Sequence, residues 1–167
     1  MNKKQKGFSL IELLIVVAII LIIAAIAIPN LLRARIAANE ASAVGSVRTL
    51  DTAEITYSST YGTGFAQLAN LGGAAPCVAG AGTACLIDPV LTLGTKTGYQ
   101  AAVVAATGAG TVVSPFNTFE VNNTALSVST GTRAFCSDQS GVVRYAVQAA
   151  AIGTGVGACA AIPTILQ

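Results

Sequence analysis

The stretch Phe8–Ile28 constrains this chain more than any other part of it. Its 21 residues, FSLIELLIVVAIILIIAAIAI, contain two polar members, Ser9 and Glu12. At the helical rise per residue such a run spans about 31 Å, enough to cross the hydrocarbon core of a bilayer. Lys3, Lys4 and Lys6 precede it. Lysines beside an apolar span hold that end in the cytoplasm, so everything after Ile28 faces outward. A secretory signal peptide has a shorter apolar core and a small-residue cleavage site after it. Here the small residue beside the charged region is Gly7, before the run. An ordinary uncleaved signal anchor satisfies the same charge and hydropathy pattern, but it gives no reason for Glu12. A carboxylate this close to the end of the span can snorkel to the interface. That explains how it is tolerated, not why it is present, since acids inside a membrane segment are costly and usually partnered.

Helical character resumes directly after Pro29 and Asn30. Ala43, Val47, Leu50, Ala53 and Tyr57 recur at spacings of three and four and mark an apolar stripe, with Arg33, Arg35, Arg48, Asp51 and Glu54 largely off it. Gly62 and the cluster Ser58–Thr60 end the segment. The pattern predicts one helix over 8–59, apolar all round in 8–28 and amphipathic in 29–59. Its first half must meet lipid or other copies of itself. Pro29 removes its hydrogen bond to the Ala25 carbonyl and clashes there, costing about 3 kcal/mol in a helix interior. It is either a membrane-helix kink or a weak point that lets the helix break under crowding.

Charge is scarce beyond the helix. From Thr60 to Gln167 six charged residues occur: Asp88, Lys96, Glu120, Arg133, Asp138 and Arg144. A free monomer with so bland a surface would be poorly soluble, whereas a subunit buried against copies of itself would not. Loss of residues 1–7 would leave six basic against seven acidic side chains, so no basic domain points to nucleic acid. The absence of histidine removes Ser-His-Asp and Cys-His catalytic arrangements and histidine metal ligation. No carboxylate cluster suggests calcium, and no cofactor motif is present. The few aromatics read as core.

Residues 60–97 carry turn signals (GG, AP, GAG, DP) and read as a connecting loop. From Gly98 onward short β-like runs follow: Tyr99–Ala106, Thr118–Val121, then Arg133–Ser137 and Val142–Tyr145 around the turn sequence DQSG. This predicts an α+β fold, with three or four antiparallel strands over 98–167 covering the amphipathic helix. The Ala/Gly-rich tail from Gln148 has little to anchor it beyond Cys159. Four cysteines allow three pairings. Cys77–Cys85 and Cys136–Cys159 are favoured because each closes a local segment that lacks a core. Loop entropy gives about 2.6 and about 3.4 kcal/mol for them. Free buried thiols are the alternative, disfavoured downstream of an export-type segment. Asn122-Asn123-Thr124 is an N-x-T pattern, making Asn122 a possible glycosylation position, although such matches often arise by chance.

The junction KG|FSLIE, with Gly7, Phe8 and Glu12 at these spacings, resembles the leader and mature start of type IV prepilins. The resemblance covers about the first 35 residues. The stretch RAFCSDQSGVVRY is more distantly similar to pilin and pseudopilin heads. The resemblance implies the pilin fold, cleavage after Gly7 by a prepilin peptidase, methylation of the new N-terminus at Phe8, and an assembly role for Glu12. The amine of Phe8 and a neighbouring copy's Glu12 would pair in the filament core and set the axial register. It also tilts Pro29 toward local melting on assembly and matches a C-terminal disulfide region to Cys136–Cys159. A Cys77–Cys85 pair is not general in the family. The expected protein is therefore a homo-oligomeric filament subunit and not an enzyme. It would be held in the inner membrane before the pilus assembly machinery extracts it to the cell surface. A major pseudopilin of a type II secretion system and a non-polymerising membrane-anchored binding module are the alternatives.

Overall fold

A computed structural model describes residues 8–106, 108, 110–147, 152 and 157–166. Gly7 and the lysines Lys3, Lys4 and Lys6 lie outside the described residues. Helix α1 runs Leu10–Tyr61. The chain forms two units, Met1–Arg35 and Ile36–Gln167, whose division falls within α1.

In the first unit the helix passes through Pro29 without interruption. In the single chain Pro29 is therefore not a helix break, because the intact turns on either side hold the backbone where one hydrogen bond is missing. The large apolar side chains from Phe8 to Leu32 are exposed.

The second unit, the head, is built on a five-stranded antiparallel meander in the order β1 Thr95–Lys96, β2 Tyr99–Ala106, β3 Thr118–Ala125, β4 Arg133–Asp138 and β5 Arg144–Val147. The α+β class holds with one strand more than expected, the additional one being the two-residue β1. It is created by a tight turn at Thr97-Gly98, where both residues have positive φ (48° and 79°) and Lys96 faces Tyr99. Glycine supplies the left-handed conformation that a two-residue hairpin turn requires. The connection 62–94 also contains two single-turn helices, α2 Leu68–Leu71 and α3 Pro89–Thr92. The Asp88 carboxylate caps α3 by accepting from the Leu91 N–H at 2.9 Å.

The predicted stripe of α1 forms one side of the main core. Ala43, Val47, Leu50, Ala53 and Tyr57 pack with Tyr99, Val103, Phe119, Val121 and Phe135 of the sheet. β2 alternates as a half-buried strand should, with Tyr99, Ala101, Val103 and Ala105 inward. The middle strands β3 and β4 are buried on both faces. Their second face carries a smaller core of Ala134, Cys136, Ile152 and Cys159. The C-terminal segment is thus much better anchored than its composition suggests. Tyr145 N–H donates to Thr164 O at 3.0 Å and Leu166 N–H to Val143 O at 2.9 Å. The Arg144 guanidinium reaches Ile162 O at 3.0 Å.

Candidate assembly segment and the clamps of the head

Ser9 and Glu12 together start α1. The Glu12 carboxylate accepts the Ser9 N–H at 2.9 Å, and the Glu12 N–H donates to Ser9 O at 3.1 Å. This is the glutamate half of a capping box, in which an N3 acid satisfies a backbone donor that the first helical turn leaves open. The S-x-x-E spacing was visible in the sequence. The geometry gives Glu12 a local duty beside any intermolecular one, and leaves it in the first turn, where the helix dipole favours an anion. Phe8 is exposed just ahead of this cap.

In the head, most acids are buried and held. Glu40 is the strongest clamp: one oxygen accepts from the Thr132 N–H (2.9 Å) and hydroxyl (2.8 Å), and the other from Arg133 Nε at 2.8 Å. Arg133 Nη2 completes an ion pair at 2.6 Å. Burial disfavours the Glu40 carboxylate, but the Thr132 and Arg133 hydrogen bonds outweigh it and hold the pKa below its ordinary value. The same guanidinium lies over the rings of Phe135 and Tyr145 at 5.7 and 5.4 Å. One ion pair therefore fixes the start of β4 to the helix across more than ninety residues of sequence.

Asp51 and Glu54 are buried, contrary to the expectation that they lie off the packed stripe. On a helix they share a face with Val47 and Leu50, and the head wraps far enough round α1 to cover that face. Glu54 accepts the Ala66 N–H at 2.8 Å, tying the connection to the helix, while its second oxygen has no partner among the described residues. Burial, opposed by that hydrogen bond and aided by nearby Asp51, pushes the Glu54 pKa up to about 7. Burial, opposed by the Ser137 hydroxyl and aided by Asp138, pushes Asp51 up to about 6.

Glu120 organises the other face of the sheet. One oxygen accepts the N–H groups of Gly157 and Cys159 at 2.9 and 3.0 Å, and the other accepts from the Asn122 amide at 3.2 Å. Asn122 is only 3% exposed. Its side chain points into the packed layer between sheet and C-terminal segment, so the folded head does not offer it to a glycosylating enzyme. The disulfides join Cys77 to Cys85 and Cys136 to Cys159. The first closes a surface loop whose Ala81 carbonyl accepts the Tyr57 hydroxyl at 2.7 Å. The second is sealed in the smaller core. Sequence reasoning had no signal for Glu40 or Glu120, because their partners are distant in the chain.

The family model described as the prokaryotic N-terminal methylation motif matches residues 2–28. Over 38 residues the chain is 66% identical to the type IV wide pilus major component PilA4 of Thermus thermophilus, covering 23% of this chain and 29% of that protein. Over 53 residues it is 47% identical to the type IV major pilin protein PilA of Myxococcus xanthus, covering 32% of this chain and 24% of the relative. The chain thus matches under a third of the length of either curated relative. No solved structure matches it. A long apolar-ended helix, an antiparallel sheet laid on that helix's amphipathic part and the N-terminal motif give the chain a pilin-like α+β architecture. Over its N-terminal residues the chain is similar to the type IV pilins.

Proposed function

We propose that the chain is the structural subunit of an extracellular type IV pilus, formed by polymerisation of identical copies through the apolar part of α1. One observation carries this reading. The helix from Leu10 contains an 18-residue apolar window with 0% of its residues buried. At about 25 cal/mol per Å² such a surface cannot remain in water. Lipid supplies the cover before assembly, and packed helices of other copies supply it afterwards.

In this reading a prepilin peptidase removes residues 1–7 by cutting after Gly7, and methylation of the new amine follows at Phe8. The freed amine lies one helical turn from Glu12, within a segment that neighbouring copies would surround with apolar side chains. There an amine of one copy and the Glu12 carboxylate of the next attract strongly, and a misplaced neighbour leaves both charges unpaired. Pro29, continuous with the helix in the single chain, is the position at which it would open when copies crowd together. The membrane-inserted precursor, the assembly machinery of the inner membrane and the surface filament complete the route. The chain is a substrate in it, with no catalytic group of its own invoked.

Shearing filaments from cells that express the full chain, followed by mass spectrometry, tests the reading. The expected subunit begins at methylated Phe8 and carries two disulfides. An intact Met1 on a protein that stays in the membrane fraction would overturn it in favour of an anchored module.

A further inference from the structure

The charges of the head nearly all have partners within it. Arg133 pairs with Glu40, and Lys96 with Asp88 at 2.8 Å. Asp51, Glu54 and Glu120 are buried, and Arg144 donates to a backbone carbonyl. Of the charged side chains of the head outside these two ion pairs among the described residues, Arg48 is exposed and Asp138 half-buried, which leaves both accessible to a neighbour.

Their surroundings are complementary. Arg48 borders an open hollow of about 350 Å³, floored by Ala41, Val44, Phe135 and Leu166 and lined also by Glu40 and Arg133. Among the described residues, two guanidinium groups and one carboxylate line it. Asp138 stands at the base of the turn between β4 and β5, whose Gln139, Ser140 and Gly141 are exposed. That turn is already shaped: the Asp138 carboxylate accepts the Ser140 N–H at 2.8 Å, and the Gly141 N–H donates to Asp138 O at 2.9 Å. Gly141 takes the left-handed conformation the turn requires, at φ 70°. A preformed turn loses little conformational freedom when it docks.

We propose that the hollow beside Arg48 receives the β4–β5 turn of a second copy of this chain, with that copy's Asp138 carboxylate paired to the Arg48 guanidinium. The contact rests on the filament reading and adds to it a contact made by heads rather than by apolar helices. Its role is selection. The apolar helix is attracted to other copies in many registers, since an aliphatic surface has little angular preference. A head that presents an accessible cation and an accessible acid outside its internal ion pairs favours the register that brings them together and disfavours those that leave them apart. The apolar floor of the hollow strengthens the pair by excluding water.

The test uses the full chain as the sole subunit in a pilus-producing cell. Arg48→Glu and Asp138→Arg should each lower the yield of sheared filaments by about tenfold or more, a loss of the size expected when a desolvated charge pair is broken. The membrane pool of the precursor should be unchanged. The double swap, Arg48→Glu with Asp138→Arg, should restore the yield to within about threefold of the parent. If a swapped chain fails to accumulate, the neutral changes Arg48→Gln and Asp138→Asn replace it, with a smaller loss expected from each. Normal yield from the single variants would assign the hollow to some other occupant and overturn the proposal, as would a double variant no better than either single one. Absence of filaments from the unaltered chain would instead overturn the filament reading itself.

Discussion

Residues 8–35 and residues 36–167 handle burial in opposite ways. The first unit exposes nearly every large aliphatic side chain it has, and its one acid serves as a helix cap. The second buries side chains as polar as Glu40, Glu54 and Glu120 and gives each at least one hydrogen-bond partner inside the fold. The hydrophobic demand of the first unit is unmet within the chain, whereas the head satisfies itself almost completely. A chain divided in this way is stable only where something outside it covers the helix. On the head contact proposed above, the head then selects how that cover is arranged.

Glu12 offers the sharpest way to break this contrast, because a cap and an intermolecular charge respond differently to substitution. Glu12→Ala removes both and should abolish filaments while leaving membrane insertion intact. Glu12→Gln keeps a side-chain oxygen for the Ser9 N–H but not the charge. Sheared-filament yield from the glutamine variant should match the alanine variant. Recovery with glutamine would show that the cap is what matters.

The next largest effect belongs to the head alone. Cys136→Ala with Cys159→Ala should destabilise it by about 3 kcal/mol, read as a lower Tm of the detergent-solubilised full chain. The Cys77→Ala with Cys85→Ala pair should cost less. Under graded reductant the surface pair should open first and the sealed pair last, followed by thiol labelling and peptide mapping. Simultaneous opening would contradict the burial of Cys136 and Cys159.

A smaller effect comes from pH. Glu54 and Asp51 have raised pKa values in the folded head, about 7 and about 6. Between the ordinary carboxylate range and those values the unfolded chain has released protons that the folded chain retains. Unfolding is therefore favoured as pH rises through that window. The Tm should fall by several degrees from about pH 4.5 to about pH 7, and Glu54→Gln should remove much of the slope. Glu40 has the opposite sign. Its lowered pKa contributes stability above the unfolded value, which is lost as pH falls further. A Tm that rises steadily from pH 4.5 to 7 would mean that the two buried acids ionise freely. The smallest expected effect is none: the mature subunit should carry no glycan mass at Asn122, and Asn122→Gln should leave its electrophoretic mobility unchanged.

Much of the architecture was legible because it is local. A three-and-four repeat marks the packed face of α1, a short β-like run marks β2, and DQSG marks the turn before β5. The S-x-x-E spacing at the start of α1 is equally local, yet the cap it forms went unread. What else escaped reading depends on distant partners. Asp51 and Glu54 look like solvent-facing acids until the connection and the sheet are placed over them. Glu40 becomes a clamp only when Thr132 and Arg133 arrive. The tail looked unanchored because its fixings are backbone N–H groups, which composition does not display, donating to Glu120.

Those fixings have a consequence for the order of events at the ribosome. The segment 157–166 is made after every strand it covers, yet it supplies half of the sealed disulfide and two of the donors to Glu120. Until it emerges, the outer face of β3 and β4 is open and one oxygen of Glu120 lacks its donors. The apolar N-terminus, by contrast, emerges first and can enter the bilayer at once. The sheet thus stays open on that face until the segment that closes it has been made.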